Sequence, residues 1–372
     1  MSQTPAKPCF QESSVRVAER RLPSGRLDGT GIALRPHFKA HKSTDLARWQ
    51  MARSGGTTLG FCAQTIRETE CLVREGGCRD VLLTNSAAPA SLALRLARLK
   101  CEHPDVALAA LVDCPQHVEN LAKAAREADC TLGAFIEIEC GQDRGGCAAG
   151  SDVALALAEA IVKDSALEWG GLHVYHGSIQ HVPTGEARQQ AVDAGPAAAA
   201  RTTVDRLAAA GIPVPKVTGG GTGTLLQDLR AGTHSEVQPG SYLIMDRQYS
   251  GIENAEFAQS LFLHTTVTSA NLEGGKRILD CGSKAVDLVG GLPQPTSLIE
   301  PALATALEGV TYESGGDEHG ILRNVPEHLL PVGSTLQLVP AHCDPTVSLH
   351  DFMVGVRDGT VEHVWRVDAR GW

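Results

Sequence analysis

VPKVTGGGTGT, residues 214–224, runs from a short β-branched segment into a loop that holds four glycines, and its place in the chain decides the fold. Glycine lets backbone N–H groups approach a phosphate closely. The loop is therefore a candidate phosphate cradle, with Thr218, Gly220, Gly221 and Thr222 as its binding residues. In an open doubly wound sheet such a loop follows the first strand. Here six β-rich runs precede it: GIALRPH (31–37), TTLGFC (57–62), DVLLTN (80–85), VALAALVD (106–113), TLGAFIEIEC (131–140) and GGLHVYH (170–176). The seventh is VPKVTGG itself, and an eighth follows, EVQPGSYLIMD (236–246). Segments of helical period lie between them. Ser43 caps TDLARWQMARS, Gln64 caps TIRETECLVREGG, and CPQHVENLAKAAREADC, GSDVALALAEAIVKD and GPAAAARTTVDRLAAAGIP continue the series. Eight alternations of strand and helix predict an α/β chain with a (β/α)8 barrel over residues 31–250, a fold that commonly binds phosphate beside strands seven and eight.

Past residue 250 the period changes to two, in SLFLHTTVTS, KRILDCG, STLQLVPAHCD, FMVGVRDG and VEHVWRV, which predicts an all-β C-terminal domain over 251–372. Residues 1–30 are polar, Arg-rich and weakly patterned. A formal charge of −10 without basic blocks argues against nucleic acid as a partner and for a small molecule. No apolar run reaches membrane-spanning length. The eleven cysteines form no C-x-x-C pair and no secretory signal opens the chain, so mostly free thiols in the cytoplasm are expected, with organelle targeting left open.

The stretch ALRPHFKAHKSTD (33–45) crowds four cations behind the first strand. If the chain stays extended there, Arg35, His37 and Lys39 share one face and Lys42 belongs to the helix start. Cationic neighbours and partial burial would leave more of the Lys39 amine unprotonated, ready for a Schiff base. A lysine at strand one and a phosphate cradle at strand seven describe a site for pyridoxal 5'-phosphate. In LVPAHCDPT, His342 and Asp344 stand two apart, so on an extended strand they face the same way and Cys343 faces the other. That pair can hold a divalent cation with positions left for water and substrate; one imidazole and one carboxylate suit Mn or Mg, and admit Zn or Co.

Seven ordered motifs, RPHFKAHK, IEIECGQDRGG, GLHVYHGSIQH, VTGGGTGT, EVQPGSYLIMD, LDCGSKAV and PAHCDPTVSLHD, together resemble the D-threonine aldolase and D-serine dehydratase family, fold type III pyridoxal phosphate enzymes related to alanine racemase. The resemblance runs from about residue 31 to the C-terminus and is closest to D-threonine aldolase. It implies that Lys39 bonds the cofactor, that Arg144 lies beside it, and that Tyr175 and His176 touch the ring or the substrate. His176 or His181 would serve as the base. Gln238 takes the place where alanine racemase sets an arginine against the pyridine nitrogen, and an amide there supplies no positive charge. The His-x-Asp pair, His342 and Asp344, resembles the aldolases, whereas His-x-Cys resembles the zinc-dependent dehydratases. The implied reaction is metal-dependent cleavage of D-threonine and other D-β-hydroxy-α-amino acids to glycine and an aldehyde by a homodimer. D-serine or 3-hydroxyaspartate dehydration, racemisation and a non-catalytic cofactor-binding role are the alternatives. Residues 1–30 stand where the family places the first strand of its β-domain.

Overall fold

The structure is a computed structural model that describes residues 13–15, 27, 29–56, 58, 60–255, 257–271, 274–297, 301–357 and 359–371. Most of the 1–30 segment lies outside the described residues. The chain forms two compact units, one drawn from 18–243 and 248–258, the other from 13–15, 244–247 and 259–370.

The first unit is built on eight parallel strands: β1 (Ala33–Leu34), β2 (Phe61–Ala63), β3 (Asp80–Ser86), β4 (Ala107–Val112), β5 (Leu132–Glu139), β6 (Leu167–Val174), β7 (Val217–Gly219) and β8 (Glu236–Val237). They pair in the order β1-β8-β7-β6-β5-β4-β3-β2. Bridges Leu34–Thr58 and His37–Cys62 join the β1 edge to the β2 edge, so the sheet closes on itself as a barrel. The middle strands are apolar without alternation because both faces are covered; Val81, Leu82 and Leu83 in β3 are all buried. At the seam, the guanidinium of Arg35, 1% exposed, bonds Glu236 Oε1 at 2.6 Å and Asp80 Oδ1 at 2.8 Å. Burial pulls its pKa down, but the two carboxylates outweigh burial and hold the charge. This triad ties β8, β1 and β3 together four residues before Lys39.

Three local expectations need correction. The cap of helix Ile66–Arg74 is Thr65, whose hydroxyl accepts from Glu68 N at 3.2 Å, because a short side chain reaches the orphan N–H that Gln64 does not. EVQPGSYLIMD is strand only at Glu236–Val237; Pro239 has no N–H for the ladder, and Ser241–Leu243 turns as a 3-10 helix. The helix expected to begin at GPAAAA is the second half of a longer one. Gly185–Val192 leads into a π-helical turn, Asp193–Ala197, and on into Ala198–Ala209. The wider turn accommodates Pro196, which cannot donate to an α-helical ladder.

The second unit is all-β apart from short helices. Leu261–Asn271 is its long central strand, pairing with Lys276–Leu279 on one edge and Thr335–Val339 on the other. Ser13–Val15 lies antiparallel to Leu261–Leu263 and parallel to Val354–Gly355, so part of the N-terminal segment is a strand of this unit. Phe352–Arg357 and Thr360–Arg366 form the last hairpin. Alternate residues point inward, and Leu263, Val267, Leu279, Leu322, Leu336 and Leu338 pack into one core. Strands Gln294–Thr296, Thr311–Ser314 and Gly320–Arg323 lie outside the period-two runs read from the sequence.

Candidate active site

The barrel rim after β1 is not extended as expected: Phe38–Ala40 is a 3-10 turn, so Lys39 leaves the face that Arg35 and His37 would define on a strand. The turn forms where the β1 ladder ends. Two of the four cations here are structural. Lys42, in left-handed conformation (φ 51°), makes a buried ion pair with Glu68. His41 bonds Gln50 Oε1 at 3.0 Å, and Gln50 donates to the Tyr242 hydroxyl at 2.6 Å. Lys39 is half-buried.

His37 is buried and its Nε2 lies 3.1 Å from Thr84 Oγ1. That hydroxyl spends its proton on Ala63 O at 3.0 Å, so it accepts from His37, and the lone pair falls on Nδ1. Burial, then the charges of Lys39, His173, Lys42 and Arg144, push His37 well below the usual histidine pKa; it is neutral. His173 on β6 repeats the pattern. Its Nε2 is 3.3 Å from Gln238 Oε1, Gln238 in turn donates to Thr218 Oγ1 at 2.7 Å, and burial and Arg144 lower its pKa to about 3. Nδ1 of His37 and Nδ1 of His173 are buried without a hydrogen-bond partner among the described residues. Two neutral imidazoles with buried lone pairs, next to a lysine, form a polar barrel mouth with groups to spare. His173 escaped the sequence reading although it stands two before Tyr175, the alternation that puts both rings, 6.4 Å apart, on one face.

The glycine loop fits a phosphate cradle. Gly220 has φ 68°, and a side chain there would run into the Asp228 carboxylate; one at Gly223 would run into the Gln180 carbonyl. Gln180, buried, organises the loop: its Oε1 accepts from Gly223 N at 3.0 Å and Thr224 N at 3.3 Å, and its Nε2 donates to Thr224 Oγ1 at 2.9 Å. Thr222 Oγ1 accepts from Tyr242 N at 3.1 Å, while Thr218 lies within β7 and faces Gln238. Gly221 N is 3.3 Å from Thr224 Oγ1. Gln180 carried no signal in the sequence beyond its place in GSIQH.

Arg144 follows β5 with its guanidinium 5.5 Å from the Tyr175 ring centre and 3.4 Å from Glu137 Oε1. Burial raises the Glu137 pKa against the pull of Arg144. Of the two candidate bases, His176 is wedged: Nδ1 is 3.1 Å from Ser178 Oγ, and the ring packs against the backbone of Gly141 and Gly195. His181 closes the 3-10 turn Ser178–His181 and lies on the Tyr249 ring, centroids 4.5 Å apart, with Nδ1 shielded from solvent.

In the β-unit the strand reading of HCD fails. Cys343–Val347 is a short helix with His342 as its N-cap, because Asp344 and Pro345 in the first turn and Thr346 Oγ1 on His342 O at 2.8 Å all favour a helix start. Cys343 does not face away. Asp246, His342 and Cys343 place donor atoms within 4.8 Å of one another, and the Cys343 thiol donates to Asp344 Oδ1 at 3.3 Å. Asp246, fully buried, accepts from Cys343 N at 2.9 Å and lies 3.3 Å from His342 Nδ1, which directs the imidazole lone pair to Nε2. Asp246 was overlooked because it stands 96 residues from its histidine.

Known proteins resemble this chain in both units. The profile for the alanine racemase N-terminal domain matches residues 24–248, and the serine dehydratase domain profile matches 260–356. The 3-hydroxy-D-aspartate aldolase of Paracoccus denitrificans (strain Pd 1222) is 36% identical over 349 residues, 92% of this chain and 86% of that protein. The crystal structure of D-threonine aldolase from Filomicrobium marinum superposes with a TM-score of 0.88 at 30% identity, covering 97% of this chain and 95% of that one. D-threo-3-hydroxyaspartate dehydratase from Delftia sp. HT23 gives 0.84 at 25%, covering 98% of both, and a mutant of a dehydratase of that name has been solved in a metal-free form. Barrel and β-unit alike thus make this chain a member of the family of D-threonine and 3-hydroxyaspartate aldolases and dehydratases, pyridoxal phosphate enzymes of alanine racemase-like fold.

Proposed function

We propose that the chain is a pyridoxal phosphate- and divalent-metal-dependent aldolase that cleaves D-threonine and other D-β-hydroxy-α-amino acids to glycine and an aldehyde. The observation that carries the aldolase reading is the exposure at this helix start: Cys343, though its sulfur lies in the cluster with Asp246 and His342, is wholly buried and donates a hydrogen bond to Asp344, whereas Asp344 and His342 are half-buried and His342 is oriented by Asp246. We assign His342 and Asp344 as the ligands and Asp246 as the carboxylate that positions His342. An imidazole with an oxygen donor suits Mn or Mg, with Zn or Co also accepted.

The cofactor, when bound through Lys39, supplies an electron sink for the pair released as Cα–Cβ breaks. The metal supplies Lewis acidity at the β-hydroxyl. The residues do the rest. The cradle of Gly220, Gly221 and Thr222, stiffened by Gln180, holds the phosphate; Arg144 and Tyr175 flank the ring. His37 and His173 stay neutral, and Gln238, bonded to His173 and Thr218, sets no charge against the pyridine nitrogen. His181 takes the β-hydroxyl proton at Nε2, since Nδ1 is shielded; His176, held by Ser178, is the second candidate.

D-Threonine with pyridoxal phosphate and Mn should yield glycine and acetaldehyde. D-3-Hydroxyaspartate should yield glycine and glyoxylate; oxaloacetate and ammonia instead would make the chain a dehydratase. The family resemblance supports a homodimer, and a monomeric mass at assay concentration would refute it. No helix among the described residues is long and apolar enough to cross a membrane. The ten described cysteines are free thiols, in keeping with a reducing, cytoplasmic setting.

A further inference from the structure

Among the described residues Cys101 is the one cysteine that is exposed; the others are buried or half-buried. It ends the helix Ala90–Glu102, and its thiol donates to Ala128 O at 2.8 Å, across to the turn that ends helix Pro115–Glu127. Cys130, in that turn, reaches back the other way, with Sγ 3.8 Å from Ala97 O. Ala97 O is the carbonyl one helical turn before Cys101 in the same helix, so the sulfur of Cys130 lies beside the turn that carries Cys101, and the two thiols are neighbours across the helix pair. Two neighbouring barrel helices thus present a thiol pair, one exposed and one half-buried, with backbone carbonyls holding both in place.

We propose that Cys101 and Cys130 form a peroxide-responsive dithiol, closing to an intrachain disulfide that staples these two helices. Sensor cysteines are accessible and stand beside a resolving partner. The exposed Cys101 thiolate attacks a hydroperoxide oxygen, the O–O bond breaks, and the leaving oxygen departs as water with Cys101 as a sulfenic acid. The Cys130 sulfur then attacks Cys101 and expels the second oxygen as water. Two thiols and one hydrogen peroxide give one disulfide and two waters; a dithiol reductant reverses the step. Burial, and then Cys101 itself, push the Cys130 thiol up to about 11, which makes Cys101 the attacking sulfur. The pair sits where helices end and β5 is about to begin, the end of the barrel opposite the strand C-termini, so the staple leaves the catalytic rim untouched.

The test uses holoenzyme treated with hydrogen peroxide, alkylated, and mapped by mass spectrometry without reduction. The expected result is a Cys101–Cys130 cross-linked peptide, two hydrogens lighter than its parts, reversed by dithiothreitol, with the other thiols alkylated and turnover unchanged. The oxidised protein should melt at a higher temperature. C130S should instead carry Cys101 to the sulfinic acid. Irreversible oxidation of Cys101 in the wild type while Cys130 stays alkylatable, or a disulfide between two chains, would overturn the proposal. The peptide map does not depend on turnover, so its failure is distinct from failure of the aldolase assignment.

Discussion

The barrel and the β-unit assemble their chemistry in opposite ways. The barrel groups proposed for the cofactor come from the ends of β1, β5, β6, β7 and β8, from Lys39 to Gln238, and buried side-chain bonds fix part of the set, as Gln238 is held by Thr218 and the glycine loop by Gln180. The metal donors proposed in the β-unit come from one tripeptide at a single helix start, with one distant carboxylate, Asp246, behind it. A distributed site tolerates error in local conformation, since the topology brings strand ends together regardless. A site on one turn does not, because a strand and a helix send the same three side chains in different directions.

The largest effect should separate the two lysines. Lys39→Ala removes the visible absorbance of bound cofactor and lowers turnover about 1000-fold or more, the scale of losing a covalent catalytic group. Lys42→Ala keeps the absorbance but strands buried Glu68, and should cost about 3 kcal/mol in denaturant titration. A borohydride adduct on Lys42 would reverse the assignment.

Next comes the β-unit. EDTA, His342→Ala or Asp344→Ala should abolish cleavage of D-threonine while the cofactor absorbance stays largely intact, and Asp344→Cys should shift metal preference towards Zn. Asp246→Asn, which leaves both ligands, should weaken metal binding by about 10- to 100-fold in a competition titration. If Cys343→Ala releases the metal and Asp344→Ala does not, the ligand set is His342 with Cys343.

Gln180→Ala would test how the distributed site is stiffened. Stranding the Gly223 and Thr224 N–H groups should weaken cofactor binding roughly 10-fold, read by fluorescence titration. The smallest effect is on pH. His173 titrates near 6.5 unfolded and at about 3 folded, so the unfolded chain binds the extra proton in between. Its contribution to stability is therefore present above pH 6.5 and lost as pH falls towards 3. His173→Asn should flatten the dependence of the melting temperature on pH across that window; an unchanged slope would mean that His173 is protonated in the fold.

Much of the barrel was legible because its signals are short-range. A βα unit announces itself within about thirty residues through strand propensity, helical period and a cap, and all eight strands overlap the runs read from the sequence, with β2, β3 and β6 reaching beyond theirs. Where reading stopped short, a non-local competitor had won. Pro196 signalled a helix start but sits within a π turn packed on Cys140 O. HCD looked like a strand because it follows Thr335–Val339, yet the chain turns into a helix at Cys343.

Sequence alone established the order of strands, the glycine cradle at the seventh, the lysine at the first and the histidine–carboxylate motif near the end, since each is a pattern of neighbours. Tertiary structure alone decided which lysine is committed to Glu68, which imidazole nitrogen bears a lone pair, that Gln180 braces the cradle and that Asp246 orients His342. Those choices depend on burial and on partners distant in the chain, where a low dielectric makes each polar contact count and no local period records it.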